Sequence, residues 1–228
     1  MQYELCYPTV LKMLELGGIT VLREERGENE PIIIGGGPCA YNPKPMSDFI
    51  DIFSIGDGED VTVEIMRRYN EIRHLPRAEK IKELAKIKGV YAPSLENKTV
   101  KRIAELNNDN LPIENPVPYS SSIHDRTIIE IRRGCGRMCR FCQPGHVTLP
   151  IRERKAEDII KAVDKSTQLT GYDEYSLLSL SSNDYTNIEP VIDELSEMLC
   201  ERKVSVSLPS QRIDRYNEHL AEVVRGIR

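Results

Sequence analysis

The sequence predicts an α/β protein built in two parts. Short apolar runs alternate with amphipathic helical segments, and the alternation is interrupted once by a stretch rich in Asn, Pro and Ser. A third observation concerns function: Cys135, Cys139 and Cys142 directly follow the apolar run Thr127-Ile128-Ile129-Glu130-Ile131 that opens the second part.

Bulk properties bound the function before any motif is read. The 228 residues suffice for one large or two small domains with a real core. With 39% hydrophobic and 29% charged residues, the composition is that of an ordinary globular protein. A net charge of −5 argues against general, charge-driven binding of nucleic acid, while local basic patches stay open. No apolar run approaches a membrane span, and Met1-Gln2-Tyr3-Glu4 lacks the basic and apolar regions of a signal peptide. The expectation is a cytoplasmic protein with no membrane partner. Six cysteines are too sparse for a disulfide scaffold, and clustering of three in one loop suggests metal binding in a reducing compartment. Cys6, Cys39 and Cys200 are scattered and read as small buried hydrophobes.

In order, Tyr7 to Leu16 places Val10, Leu11 and Leu14 on one helical face, and Gly17-Gly18 ends it. Ile19 to Leu22 reads as a short strand, followed by a charged loop to Glu30. Pro31-Ile32-Ile33-Ile34 is a buried-strand candidate opening onto Gly35-Gly36-Gly37-Pro38. A strand from Asp51 to Ile55 follows, then Gly56-Asp57-Gly58-Glu59 and a helix from about Val61 to Ile72. A second helix spans about Arg77 to Ile87, and Gly89 to Pro93 is extended. A parallel sheet is the economical reading of this alternation. From Leu95 onward, Pro112, Pro116 and Pro118 mark a linker, with the boundary placed near Tyr119. The periodicity then restarts with a strand at 127–131, the cysteine loop, and a helix from about Lys155 to Leu169. Its acids Glu157 and Asp158 suit the helix dipole. A strand (Glu174 to Leu180), a helix (Glu189 to Cys200), a strand (Val204 to Leu208) and a helix (Asp214 to Val224) complete three β-α units. The expected division is therefore residues 1–94, a linker at 95–121, and 122–228. Three units cannot close a barrel of six or eight strands, so the expectation is a fragment of a longer protein or an open sheet.

The C-x3-C-x2-C spacing has three readings. The thiols are unligated; or they form a structural zinc site completed by His146, four residues past Cys142; or they hold an iron–sulfur cluster with one iron left open. Here the sequence resembles the radical S-adenosylmethionine (SAM) enzymes. Their signature is this spacing after the first strand of a βα barrel, with an aromatic residue before the last cysteine, matched here by Phe141. The resemblance implies that Cys135, Cys139 and Cys142 bind a [4Fe-4S] cluster. It implies further that the open iron chelates SAM, and that one electron cleaves SAM to a 5′-deoxyadenosyl radical. It also implies an electron donor such as flavodoxin or ferredoxin. Phe141 joins the cofactor-binding residues. At the end of the second strand, where family members commonly carry Gly-Gly-Glu, this chain has Ser179-Leu180-Ser181-Ser182-Asn183-Asp184, and Ser181, Ser182 and Asn183 are the SAM candidates. A polar strand-to-helix loop with Asn187 or Thr186 as N-cap is the plain alternative. At the end of the third strand, Ser207 and Arg212 are candidates to reach SAM or substrate, and Arg212 reads equally as a surface residue. Around the motif, Arg132, Arg133, Arg137, Arg140, Arg152 and Arg154 would raise a cluster's potential, meet an RNA or ribosome-related substrate, or form a solvated face.

The first part is similar to the later half of the Rossmann-like, cobalamin-binding-type domain that precedes many radical SAM modules. The likeness rests on Ile32-Ile33-Ile34-Gly35-Gly36-Gly37-Pro38, then Pro43, Pro45 and Asp51, then Ile55-Gly56-Asp57-Gly58-Glu59. Cobalamin itself is not expected, because none of His74, His124, His146 or His219 lies in the Asp-x-His-x-x-Gly pattern. The full resemblance is to a poorly characterised two-domain group, with Gly-Gly-Pro-Cys-Ala-Tyr-Asn-Pro and Arg-Gly-Cys…Cys-Arg-Phe-Cys-Gln as its segments. It implies a partial Rossmann-like domain followed by the first half of a TIM-type radical SAM barrel. The reading from another class is a zinc-stabilised, locally basic RNA-binding module without catalysis.

Overall fold

The computed structural model describes residues 1–120 and 123–226 and divides the chain into two compact units, Met1–Ala104 and Glu105–Arg228. The division falls inside the expected linker, whose last residue, Ser121, lies outside the described residues, as does Ser122. No helix among the described residues is long and apolar enough to cross a membrane.

In the first unit, α1 (Tyr7–Leu16) forms where the periodicity predicts it, with Pro8 in its first turn, where a missing N–H costs nothing. A three-stranded sheet of β1 (Ile34–Gly35), β2 (Ile52–Ser54) and β3 (Val90–Tyr91) follows, with α2 (Glu59–Ile72) and α3 (Arg77–Leu84) between β2 and β3. Consecutive residues of a strand face opposite sides. Ile52 packs with Val61, Ile65, Leu84 and Val90, while Phe53 packs with Ala40, Met46, Ile50 and the α1 residues Val10 and Leu11. Helices therefore cover both faces.

Two expectations are corrected here. The sheet is not wholly parallel: β1 and β2 run parallel, but β3 is antiparallel to β2. A single crossover helix returns the chain for a parallel strand, whereas the packed pair α2 and α3 delivers it from the opposite end. Ile19 to Leu22 is no strand either. The Arg26 guanidinium donates to the carbonyls of Thr20 and Val21, each at 2.8 Å, so these acceptors are satisfied without a neighbouring strand.

The expected linker also carries structure. Arg102 N–H donates to the Ile55 carbonyl (2.9 Å) and Asp57 N–H to the Arg102 carbonyl (3.1 Å), making a parallel bridge at Gly56. Gly56 has φ +110, and a Cβ there would lie 2.2 Å from the Arg102 carbonyl oxygen, so glycine is required. Ala104 N–H then bonds Asp57 Oδ2 at 2.9 Å, and the unit ends there.

Asp51 fastens this unit. Its fully buried Oδ2 accepts from Arg26 Nη1 (2.8 Å), Arg77 Nη2 (2.7 Å) and Ile33 N–H (2.7 Å). The same guanidiniums donate to the carbonyls of Phe49, Glu30 and Pro31. One carboxylate thus holds an irregular loop, the start of β2 and the start of α3 together.

In the second unit, β4 (Thr127–Glu130), β7 (Glu174–Leu178) and β8 (Ser205–Ser207) form a parallel sheet in the order β4-β7-β8. Between β4 and α5 (Ala156–Thr170) lie β5 (Arg132–Arg133), α4 (Gln143–Val147) and β6 (Arg152–Glu153). The other connections are α6 (Ile188–Leu199), before β8, and α7 (Glu218–Gly226), after it. Gly171, at φ +72, caps α5 through N–H to Thr167 carbonyl. Ile129, Tyr175, Leu177 and Val206 share one face and bury against Ile159, Val163, Ile192 and Leu195. On the other face Ile128 and Leu178 stay exposed beside Ser176 and Ser207, so the helices cover one side. Leu111, inside the expected linker, is buried in this core.

Replacing Asp51 by Ala leaves two buried guanidiniums without their carboxylate and is expected to destabilise the chain by about 3–5 kcal/mol in denaturant unfolding. Glu15→Ala, which removes the exposed Lys12–Glu15 pair, is expected to change stability by less than about 1 kcal/mol.

Candidate metal centre

The three cysteines lie on the connection that leaves the carboxyl end of β4, the end at which parallel α/β sheets place their chemistry. The base of the connection is closed by the antiparallel ribbon of β5 and β6, in which Arg132 pairs with Glu153 at 3.1 Å. Arg154 locks the ribbon: its N–H bonds the Ile131 carbonyl (2.9 Å), its Nε the Glu130 carbonyl (2.7 Å), and its Nη1 the Asn107 carbonyl. Gly134, at φ +87, turns the chain into the loop. A Cβ there would sit 2.9 Å from the Thr148 carbonyl and 3.0 Å from that of Pro150, so no larger residue fits.

Gly136 to Phe141 are all exposed, Phe141 to 92%. Cys142 N–H bonds the Cys139 carbonyl at 2.9 Å, and Cys142 opens the short α4. All three thiols are free; Cys139 is exposed and the other two partly so. Among the described residues no three His, Cys, Asp or Glu side chains form a group that could hold a metal ion, so the thiols share a loop without being drawn to one point.

The chemistry of this donor set suits an iron–sulfur cluster with one open iron. Three soft thiols are presented on eight residues, and Cys200 lies at the other end of the sheet, between α6 and β8. His146, the zinc candidate, has Nδ1 at 2.7 Å from the Cys142 carbonyl. A carbonyl only accepts, so Nδ1 carries the proton there and the lone pair is left on Nε2.

The adjoining strand ends converge on Asp184, a residue the sequence reading did not single out. Its carboxylate is 4% exposed and accepts from Arg137 Nη2 (2.6 Å), Arg137 Nε (3.1 Å), Ser181 Oγ (2.9 Å) and Arg212 Nη1 (3.2 Å), with Arg215 at 3.5 Å. The bidentate Arg137 bond, above all, holds its carboxyl well below the usual carboxylate range; burial opposes this, and the bonds from Ser181 and Arg212 add to it.

The other candidates are placed as follows. Ser181 serves Asp184. Ser182 is fully buried and donates to the Pro209 carbonyl at 2.6 Å. Asn183 donates to the carbonyls of Arg212 and Arg215, each at 2.9 Å, and accepts from Arg212 N–H at 3.1 Å. These residues clamp the loop after β8 to the loop after β7. Arg212 pairs with Asp184 and Asp214 rather than standing at the surface alone. Ser207 lies beside Ser176 on the helix-free face. Of the six arginines around the motif, Arg132, Arg133, Arg137 and Arg154 are in ion pairs with Glu153, Glu130, Asp184 and Glu130, so they leave little free positive surface for a phosphate backbone.

Residues 1–93 match a family model described as radical SAM proteins, N-terminal. Over 213 residues the chain is 29% identical to an uncharacterised protein of Methanocaldococcus jannaschii. That alignment covers 91% of this chain and 44% of the relative, so the chain spans less than half of its length. The fold is similar to that of OxsB, a cobalamin-dependent S-adenosylmethionine radical enzyme solved with aqua-cobalamin and S-adenosylmethionine bound. The TM-score is 0.50 at 13% identity, covering 96% of this chain and 30% of that one. The likeness is one of fold.

A carboxylate whose folded pKa is depressed contributes stability that is complete above its unfolded value, about 4 for Asp, and is lost as pH falls toward the folded value. The stability difference between the natural chain and Asp184→Asn is therefore expected to be constant above about pH 5 and to shrink below about pH 4 in thermal melts. A difference that grows on acidification would contradict the arrangement.

Proposed function

Since residues 1–93 carry the N-terminal domain of radical SAM proteins, we propose that the second unit is the first part of a radical SAM βα barrel. In this reading Cys135, Cys139 and Cys142 hold a [4Fe-4S] cluster, and the first unit is the cobalamin-type Rossmann-like domain in a reduced form. The observation that carries it is the placement of three free thiols, at this spacing, on a ribbon-closed loop leaving the carboxyl end of the first parallel strand. When bound, the cluster supplies one electron for reductive cleavage of SAM to methionine and a 5′-deoxyadenosyl radical.

The chain's own residues then have distinct tasks. Gly134 and the β5/β6 ribbon fix where the thiols leave the sheet. Ser182 and Asn183 support the strand-end loops from beneath. Exposed Phe141, together with Ser181, Ser207 and Arg212 at the carboxyl ends of β7 and β8, are assigned to the SAM side of the site. Flavodoxin or ferredoxin is the class of electron donor such a site requires. Cobalamin is left out of this reading. His74, the histidine of the first unit, is exposed just past the end of α2, away from the glycine loops at the strand ends.

Anaerobic reconstitution with iron and sulfide is expected to give a brown protein with about four irons per chain, lost on replacing Cys135, Cys139 or Cys142 by Ala. Reduction in the presence of SAM is expected to release 5′-deoxyadenosine and methionine. Recovery of one tightly held zinc and no iron would overturn the assignment.

A further inference from the structure

Three loops leave the carboxyl ends of three adjacent parallel strands: the cysteine loop after β4, residues 179–187 after β7, and residues 208–217 after β8. Each sends a polar side chain to the same point. Arg137 sits two residues from both Cys135 and Cys139, inside the exposed run 136–141, and reaches Asp184 with two bonds. From the third loop come Arg212 and Arg215, and Ser181 closes the set from Asp184's own loop. Met138, Phe141, Ile213 and Tyr216 are exposed, so apolar packing does not order the arc of the cysteine loop, whereas the second loop is anchored by Tyr185 in the core and the third by Leu208 packed against it. The Asn183 clamp binds the second and third loops together as one body; Tyr185 and Thr186 bond that body to Arg154 and Glu153 where the connection returns to the sheet, and Arg137 ties the arc that carries the thiols to it.

We propose that Asp184 is a positioning residue which, through Arg137, holds the cysteine loop in register with the other two strand ends, presenting the thiols at the sheet's carboxyl face. This rests on the assignment of the cysteines to a cluster. Asp184 touches neither the thiols nor any reacting atom; it acts through the fork of Arg137. A bidentate guanidinium–carboxylate contact fixes orientation as well as distance, whereas a lysine in its place would supply charge alone.

The test separates tether from cluster. Amide hydrogen exchange on the metal-free full chain is expected to quicken about tenfold or more at 135–142 in Arg137→Gln, because a charge-assisted pair that orders an exposed loop is lost. Amides of β4 and β7 should be unchanged. Arg137→Lys should fall between the two, and Asp184→Asn should loosen both 135–142 and 210–215. After reconstitution, the cluster absorbance should bleach several-fold faster with a chelator in Arg137→Gln than in the natural chain. Unchanged exchange at 135–142 together with unchanged bleaching in Arg137→Gln overturns the proposal. Should Asp184→Asn unfold the chain, Arg137→Gln decides alone, since it leaves Asp184 paired with Arg212 and Arg215. A natural chain that takes up no iron overturns the cluster reading instead, while exchange still reads the tether without metal.

Discussion

The second unit depends on a single, nearly buried carboxylate. Around Asp184 stand three guanidiniums and a serine hydroxyl, contributed by three successive strand-end loops. One negative charge among three positive ones lowers the repulsion that the arginines would otherwise exert on each other. The partly desolvated setting strengthens each contact relative to water. The hydrophobic core lies on the helical side of the sheet and reaches this end through Ile131 and Tyr185, but Phe141 and Ile213 are left exposed, to 92% and 95%. At the exposed tips of these loops the shape of the carboxyl face is therefore set by directional polar bonds.

The first unit uses the same device for a different purpose. Asp51 is fully enclosed, and Arg26 and Arg77 meet it from a loop and a helix start that share no sheet. A buried charged triad is costly unless its remaining donors are satisfied. The guanidinium donors find the carbonyls of Thr20, Val21, Phe49, Glu30 and Pro31, while Asp51 Oδ1 is buried with no hydrogen-bond partner among the described residues. Those carbonyls belong to backbone without a ladder, so the guanidiniums replace secondary structure as their partner. Irregular chain is thereby made as determinate as a strand.

This explains what was legible in the sequence. Helix α1 appears where the periodicity places it, and the other long helices fall within a few residues of expectation, because their apolar spacing is local. The motif cysteines were legible for the same reason. Long-range pairing was not. The apolar run Ile19 to Leu22 looks like a strand until Arg26 takes its carbonyls, and β3 looks parallel until α2 and α3 are seen to pack as a pair. Ser182 and Asn183 were legible as polar strand-end residues, but a ligand contact and a backbone clamp call for the same chemistry. Their partners lie 27 and 29 residues away. Asp184 is not legible, and Asp51 is legible only as a member of the glycine-loop pattern, because the arginines that give them meaning are 47 and 26 residues distant. The available signal was an acid set against apolar sequence, Asp51 before Ile52-Phe53 and Asp184 before Tyr185.

The cysteine loop shows how these constraints combine. Its backbone is held at both ends of the motif. Gly134 permits no side chain between it and the returning segment, while Cys142 starts α4, whose His146 bonds back to the Cys142 carbonyl. Between these points, Arg137 fixes the arc to Asp184, and the Cys139 carbonyl accepts from Cys142 N–H. Yet the thiols themselves are not gathered into a group that could hold an ion. A backbone ordered in advance lowers the conformational entropy that any ligand of the thiols would have to offset. A loop without its glycine, ribbon and tether would have to supply a larger entropy from the metal–thiolate bonds, and its affinity would fall accordingly.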